Sequence, residues 1–362
     1  MSKKYRILVI NPGSTSTKIG IFENRQPLFV EKIEHDAEDL KVFPHIADQY
    51  QYRMELVLKI LEQKNIPLES LDLVVGRGGL LRPVAGGTYI INEIMRQDLL
   101  KGIRGEHASN LAALIAYEIG KKMSIPAYIV DPVSVDEMED VARISGWVEL
   151  ERTSMVHALN SRAVARKVAE EELGKKYEEV NFVVAHLGSG TSVSAHKQGR
   201  MIDVNNATCE GPFSPERAGG LPAEALARLC FSGKFTEKQV LDAMFKYGGV
   251  YSYLGTKDMR KVEEMAEGGD EKARLILDAM AYQIAKEIGK MATVLMGQVD
   301  RIILTGGIAY SQAIVNRVKQ RVEFIAPLSV VPGEEELSAL AWGGLRVLTK
   351  EESPKKYYED EE

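Results

Sequence analysis

Short apolar runs alternate along this chain with stripes of apolar residues spaced three and four apart. Ile7-Leu8-Val9-Ile10 is a continuous run, broken by Asn11-Pro12-Gly13-Ser14 and resumed with alternation in Thr17-Lys18-Ile19-Gly20-Ile21-Phe22. A strand, a small-residue turn and a second strand follow from that pattern. The arrangement returns about half a chain later, with Phe182-Val183-Val184-Ala185, the turn His186-Leu187-Gly188-Ser189-Gly190 and then Ser192-Val193-Ser194-Ala195. Placing Gly13-Ser14 on Gly188-Ser189 brings the hairpins into register and predicts duplication of one α/β unit.

Helical stripes fill the intervals: Met54, Val57, Leu58 and Leu61, and later Leu277, Met280, Ile284, Ile288, Met291 and Leu295. Such spacing buries one helix face, so these residues are core. Leu73-Val74-Val75-Gly76 and Ile302-Ile303-Leu304 add strands, the second running through Thr305-Gly306-Gly307 into a helix with Ile314, Val318 and Val322. Strands alternating with helices predict an α/β fold whose mixed or parallel sheet is covered on its faces. Apolar periodicity lapses between Ser145 and Thr153, which divides the chain into domains 1–150 and 151–336. A last helix with Leu337, Leu340, Ala341, Leu345 and Leu348 follows the second unit, and 337–362 is expected to join the first domain. Its Gly343-Gly344 pair costs about 1 kcal/mol per glycine against alanine, which close packing against another backbone would explain.

Length supports two domains, since 362 residues exceed one ordinary small core. Composition is that of a globular chain, 45% hydrophobic and 27% charged. A net charge of −6 argues against a nucleic-acid partner, whose phosphates call for a basic surface. Cys209 and Cys230 have no metal-ligand spacing and are expected to be reduced thiols. Asn11 and Pro12 end the first apolar run before a signal peptide or a membrane span could develop, so a cytoplasmic protein without membrane attachment is expected. Glu351–Glu362, rich in Glu, Asp and Lys, reads as a solvated tail despite Tyr357 and Tyr358.

Three turns have the means to hold phosphates, because glycines let the backbone approach while N–H groups, hydroxyls and lysine meet negative oxygens. In Asn11–Lys18, strand alternation puts Ser14, Ser16 and Lys18 on one side, although the GxxxxGK[ST] pattern is absent. The bland alternative is a surface hairpin. In His186–Ser192, a histidine ends an apolar strand at a glycine-rich turn, and the alternative there is a satisfied core histidine. Thr305-Gly306-Gly307-Ile308-Ala309 lies between a strand and a helix, where a nucleotide can rest against backbone.

In order, NPGSTSTK, HLGSGTSVSAHKQGRMIDV, EGPFSPERAGGLP, GTKDMR and LTGGIA resemble the motifs of the acetate and butyrate kinase family over essentially the whole chain. The details are closer to the butyrate kinase branch: NPGSTSTK where acetate kinases resemble NAGSSSLK, Ser189 where they carry asparagine, and RAGGLP at Arg217 where they carry RSGD. The shorter chain and VVGRGGLLRPV agree. This resemblance implies the architecture of actin, Hsp70 and the sugar kinases, two ribonuclease-H-like domains with ATP bound in the cleft between them. It further implies that Asn11, Ser14, Ser16 and Lys18 face phosphate and metal, and that His186, Gly188, Ser189, Gly190, Asp258, Arg260, Gly306 and Gly307, in a last segment reaching Tyr310, bind the nucleotide. Arg77 matches the arginine that binds the carboxylate, Asp131 the catalytic aspartate, His157 the charge-stabilising histidine and Arg217 the second arginine. The Mg²⁺-associated glutamate falls within PGEEELSAL, and counting from the proline gives Glu335; Glu334 to Glu336 are alternatively the acidic first turn of a helix.

What the resemblance implies is an ATP- and Mg²⁺-dependent kinase that reversibly converts butyrate, or a branched short-chain acid, into its acyl phosphate, and that assembles as a homodimer or larger homo-oligomer. Acetate or propionate is the alternative acid. From other classes, a kinase for a hydroxyl substrate and a nonenzymatic ATP-binding module of the actin or Hsp70 type stay open.

Overall fold

The computed structural model describes residues 3–358. The chain forms two units, one running to Val135 and taking up the chain again from Glu335, the other Asp136–Glu334.

The strands of the first unit are β1 (Arg6–Pro12), β2 (Ser16–Glu23), β3 (Gln26–Glu34), β4 (Leu73–Arg77), β5 (Thr88–Ile90) and β6 (Ala127–Val130). They lie in the order β5-β6-β4-β1-β2-β3, with Lys355–Lys356 as a further strand outside β5. β1 to β3 form an antiparallel meander, whereas β4 runs parallel to β1 and β6 parallel to β4. Side chains of β4 alternate between two buried faces. At Gly76, a Cβ would stand 2.7 Å from Ala112 O in the helix Asn110–Met123, so that helix presses on one face. On the other face lies the helix Glu336–Leu348: a Cβ at Gly344 would meet Leu73 Cδ2 at 2.6 Å, and one at Gly343 would meet Val130 at the same distance. The Gly343-Gly344 pair is therefore where this helix sits down on the sheet.

The second unit repeats the plan. Its strands are β7 (Asn181–Leu187), β8 (Thr191–Lys197), β9 (Arg200–Val204), β10 (Arg301–Gly306) and β11 (Leu328–Pro332), in the order β11-β10-β7-β8-β9. β7 to β9 are an antiparallel meander, and β10 and β11 continue in parallel beyond β7. The odd-numbered residues Val183, Ala185 and Leu187 pack with Leu277, Met280 and Ile284 of the helix Glu271–Val294. Phe182 and Val184, facing the other way, pack with Val164, Ala165 and Val168 of the helix Ala158–Leu173. Order, direction and helix cover thus match β6-β4-β1-β2-β3 of the first unit, as duplication requires.

Two stretches differ from their sequence reading. The junction falls at Val135/Asp136, ahead of the lapse in periodicity, because residues 139–157 are tied to the second unit by polar contacts. Glu139 N donates to Ile202 O, and Arg152 donates to Ala142 O, Val204 O, Asp203 and Glu210. Apolar burial has little part in holding them, as Val141, Ile144, Trp147 and Val148 stand exposed. The charged C-terminal stretch is also no solvated tail over 351–358. Lys355–Lys356 pairs with Tyr89-Ile90, and Tyr357, fully buried, donates to Asp98 Oδ2 at 2.8 Å. Its burial, with Asp98 adding to the effect, pushes the phenol well above its ordinary range. The last four residues of that reading, 359–362, lie outside the described residues. Among the described residues, no helix is long and apolar enough to cross a membrane.

Candidate active site

Register places the first unit's chemical groups in a row. Ile10 pairs with Gly76 and Arg77 with Val130, so Asn11, Arg77 and Asp131 stand side by side at the carboxyl ends of parallel β1, β4 and β6. The carboxyl ends of strands are where open α/β sheets bind ligands. Asn11 Nδ2 donates to Glu336 Oε2 at 2.6 Å, and Arg77 Nη1 lies 2.9 Å from Glu336 Oε1 and 3.4 Å from Asn11 Oδ1. Burial, with the Arg77 charge adding to it, holds the His107 imidazole below its ordinary pKa.

The carboxylate brought to Asn11 and Arg77 is that of Glu336, not of Glu335. Glu335 occupies the helix N-cap with ψ 52° and an exposed side chain, and one residue of helix turns the next side chain inward. Asp131 is buried at φ 39°, a left-handed conformation costly for a residue with a Cβ. A reciprocal clasp holds it there: Asp131 N donates to Gly87 O, and Gly87 N donates to Asp131 Oδ1 at 2.7 Å.

Across the hairpin that opens the unit, Ser14 and Lys18 are exposed, Ser16 is half-buried and Thr17 is buried, as alternation requires. All four carbonyls of the turn point inward. Thr15 O accepts from His35 N, while Gly13 O, Ser14 O and Ser16 O accept from the guanidinium of Arg53. The N–H groups of Ser14 and Thr15 have no protein acceptor among the described residues and share the open side with the Ser14 hydroxyl. Outward N–H groups and a cation make an anion-binding concavity.

In the second unit, Thr305 pairs with His186, which sets β10 and β7 ending together. The rings of His157 and His186 are stacked, centroids 3.8 Å apart and planes 9° from parallel. Asn160 Nδ2 donates to His186 Nδ1 at 2.9 Å and to Thr305 Oγ1 at 3.1 Å, which leaves the His186 proton on Nε2. Glu334 Oε1 stands 3.0 Å from that nitrogen, at an angle too poor for a hydrogen bond. His157 Nδ1 lies 3.0 Å from Ser192 Oγ.

Gly188, Ser189 and Gly190 form the turn between β7 and β8. A Cβ at Gly190 would stand 2.4 Å from Arg217 Nη1, so the missing side chain is what lets the arginine lie on the turn. Ser214 Oγ donates to Ser189 O, and Arg217 N donates to Ser214 Oγ. At φ 87°, Gly306 takes a conformation that favours glycine, and a Cβ there would meet Leu187 O at 2.4 Å, while Gly307 has open space around its Cα. Tyr310, closing that segment, is largely exposed. Asp258 and Arg260 form an exposed ion pair at the start of the helix Met259–Glu267, and no hydrogen bond or ion pair links either to the turns among the described residues. Lys257 beside them does reach Glu216, next to Arg217, at 2.8 Å.

Sequence reasoning missed Arg53 and Asn160 as parts of these constellations; Ser192 and Thr305 lay in turns it marked, and Glu334 and Glu336 in the stretch from which it chose Glu335. Asn160 had a signal, standing one helical turn after His157. Arg53 had another: Gln49, Arg53, Val57 and Leu61 keep a spacing of four, so a cation shares the buried stripe.

The family model described as the acetokinase family matches residues 152–358, more than half of the chain. Among solved structures, an acetate kinase from Porphyromonas gingivalis superposes with TM-score 0.79 at 21% identity, covering 95% of this chain and 100% of its own. A propionate kinase from Francisella tularensis subsp. tularensis gives 0.73 at 19%, covering 94% and 98%. An acetate kinase from Entamoeba histolytica gives 0.72 at 17%, covering 93% and 98%. At these identities the likeness bears on the fold, which is of the actin, Hsp70 and sugar kinase type.

Proposed function

The chain belongs to the acetokinase family, the carboxylate kinases that work with ATP and a divalent metal, and from that premise we propose that it makes butanoyl phosphate from butyrate and ATP, reversibly and by direct in-line transfer. The observation that carries butyrate is the set of motif variants along the chain: Pro12 and Thr15 in the first hairpin, Ser189 in the second, and Ala218-Gly219-Gly220 after Arg217. Acetate or propionate is the second reading, favoured by the names of the superposing structures.

A carboxylic acid with pKa of about 4 to 5 is ionised at pH 7, as side-chain carboxyls are, so it needs no general base to become a nucleophile. Repulsion between two anions is the obstacle. Catalysis then consists of positioning and of positive charge where the transferring group spreads its negative charge. Arg77 holds the acid's carboxylate, and Arg217, lying on the Gly188–Gly190 turn, meets the phosphates. His186, with its proton fixed on Nε2 by Asn160, donates in the same region, and His157 stacks on it. Asp131 orients; its tight clasp by Gly87 suits a fixed hydrogen-bond acceptor better than a proton carrier. Asn11, Ser14, Ser16 and Lys18 face phosphate and metal, Gly306 and Gly307 give the nucleotide a flat backbone surface, and Asp258 and Arg260 flank it.

Asn11 and Glu336 fit a magnesium ion. One amide and one carboxylate are hard oxygen donors, and Mg²⁺ is ordinarily held by one or two carboxylates while keeping waters and substrate phosphate oxygens. Bound there, it would neutralise charge on the phosphates. In the described structure Glu336 instead satisfies Arg77 and Asn11, so metal and acid exchange partners with groups already oriented for them. No set of three or more His, Cys, Asp or Glu side chains suited to a metal occurs among the described residues.

Comparing kcat/KM over straight and branched acids of two to five carbons tests the choice of acid. One methylene is worth about 1 to 3 kcal/mol in an apolar pocket, so butyrate should exceed acetate by about tenfold or more. A maximum at acetate or propionate would overturn butyrate and leave the carboxylate kinase standing.

A further inference from the structure

Arg53 is among the largest fully buried side chains of the protein, 1% exposed, and it has no carboxylate partner among the described residues. Its donors go to neutral oxygens: Gly13 O at 2.8 Å, Ser14 O at 3.0 Å, Ser16 O at 3.2 Å, Thr17 Oγ1 at 3.3 Å, and Gln49 Oε1 at 2.8 and 3.2 Å. A buried cation of this kind is expensive unless its charge is met. Burial draws its pKa down to about 10, which still leaves it charged at neutral pH. The neighbouring His35, lowered to about 4 by burial and by Arg53, is neutral at that pH and offers no counter-charge. Thr17, 2.8 Å from His35 Nε2, is neutral too.

What Arg53 does to the turn is specific. It gathers three carbonyls to one guanidinium, a fourth is taken by His35 N, and the N–H groups of Ser14 and Thr15 are left on the opposite, open side. Carbonyl oxygens, which would repel an anion, are thus drawn away from the side that carries Ser14, Ser16 and Lys18. Meanwhile a full positive charge sits directly behind the turn.

We propose that Arg53 is a positioning residue for the ATP phosphates, holding the Gly13–Ser16 turn with its N–H groups outward and keeping a counter-charge that the bound phosphates supply. The inference rests on the phosphate-facing assignment of the hairpin. A purely structural clamp would make the same hydrogen bonds, but it would not need Arg53 to stay free of an acidic partner.

Gln49→Glu separates the two. It replaces the amide oxygen that already accepts two bonds from Arg53 with a carboxylate of the same shape, so the clamp is kept or strengthened while its charge is cancelled. The KM for ATP-Mg²⁺ should rise about tenfold, the size of one partly screened charge, with kcat and the KM of the best C2 to C5 acid within about twofold and the melting temperature not lowered. In Arg53→Ala, millimolar guanidinium should lower the raised KM for ATP, and urea, a neutral molecule of similar shape, should not. A Gln49→Glu enzyme with unchanged KM for ATP, or equal rescue by urea, overturns the proposal. Lys18→Ala distinguishes the two ways of failing. If it raises the KM for ATP and Gln49→Glu does not, the hairpin binds phosphate without help from Arg53's charge; if neither does, the hairpin assignment falls and the proposal with it.

Discussion

Arg77→Ala is expected to lower kcat/KM for the carboxylate by about 10³-fold, the size of loss that follows when the cation of a close, charge-assisted pair with a carboxylate is removed. Arg77 ends β4, side by side with Asn11 and Asp131, and its guanidinium is partly exposed beside Glu336. Nothing in the core depends on it, so the folded protein should persist with an unchanged melting temperature. Arg77→Lys should recover little, because a lysine supplies the charge but not the planar fork that fits a carboxylate. Steady-state kinetics with the acid varied would place most of the loss on kcat/KM for the acid, with the KM for ATP nearly unmoved. Equal loss on both substrates would assign Arg77 to the phosphates instead.

The second large effect separates two adjacent glutamates. Glu336→Gln should reduce kcat by at least about 100-fold and raise the magnesium concentration needed for half-maximal rate, as loss of a ligating carboxylate does. Glu335→Gln should stay within about twofold, its exposed carboxylate being worth only a weak helix N-terminus interaction. Titrating Mg²⁺ at saturating ATP for both variants reads this directly. The opposite ranking would restore the assignment made by counting along the sequence.

How far the sequence carried can be judged from particular residues. The two hairpins were legible because strand, turn and strand are local: Ile7–Ile10 and Phe182–Ala185 announce β1 and β7, and the glycines mark their turns. The covering helices were legible from period alone, with Gly343-Gly344 pointing to a close approach that Leu73, Val75 and Val130 supply. The stack of His157 on His186 was not legible, since it depends on where the start of one helix meets the end of a strand. Which glutamate turns toward Asn11 and Arg77 was not legible, because the phase of a helix is set by its first turn, and three glutamates in a row carry no phase of their own. Lys355–Tyr357 was misread because a charge run and an edge strand look alike until the alternating aromatic is seen to be buried. The junction was displaced because residues 139–157 are held by Arg152 and main-chain bonds, which leave no apolar period to follow.

Trapping the product tests the central claim most directly. Protein given ATP, Mg²⁺ and butyrate in the presence of hydroxylamine should release ADP and butyrohydroxamate in equal amounts, with no hydroxamate when the acid is left out. ADP release that leaves no hydroxamate with any acid of two to five carbons would contradict transfer to a carboxylate.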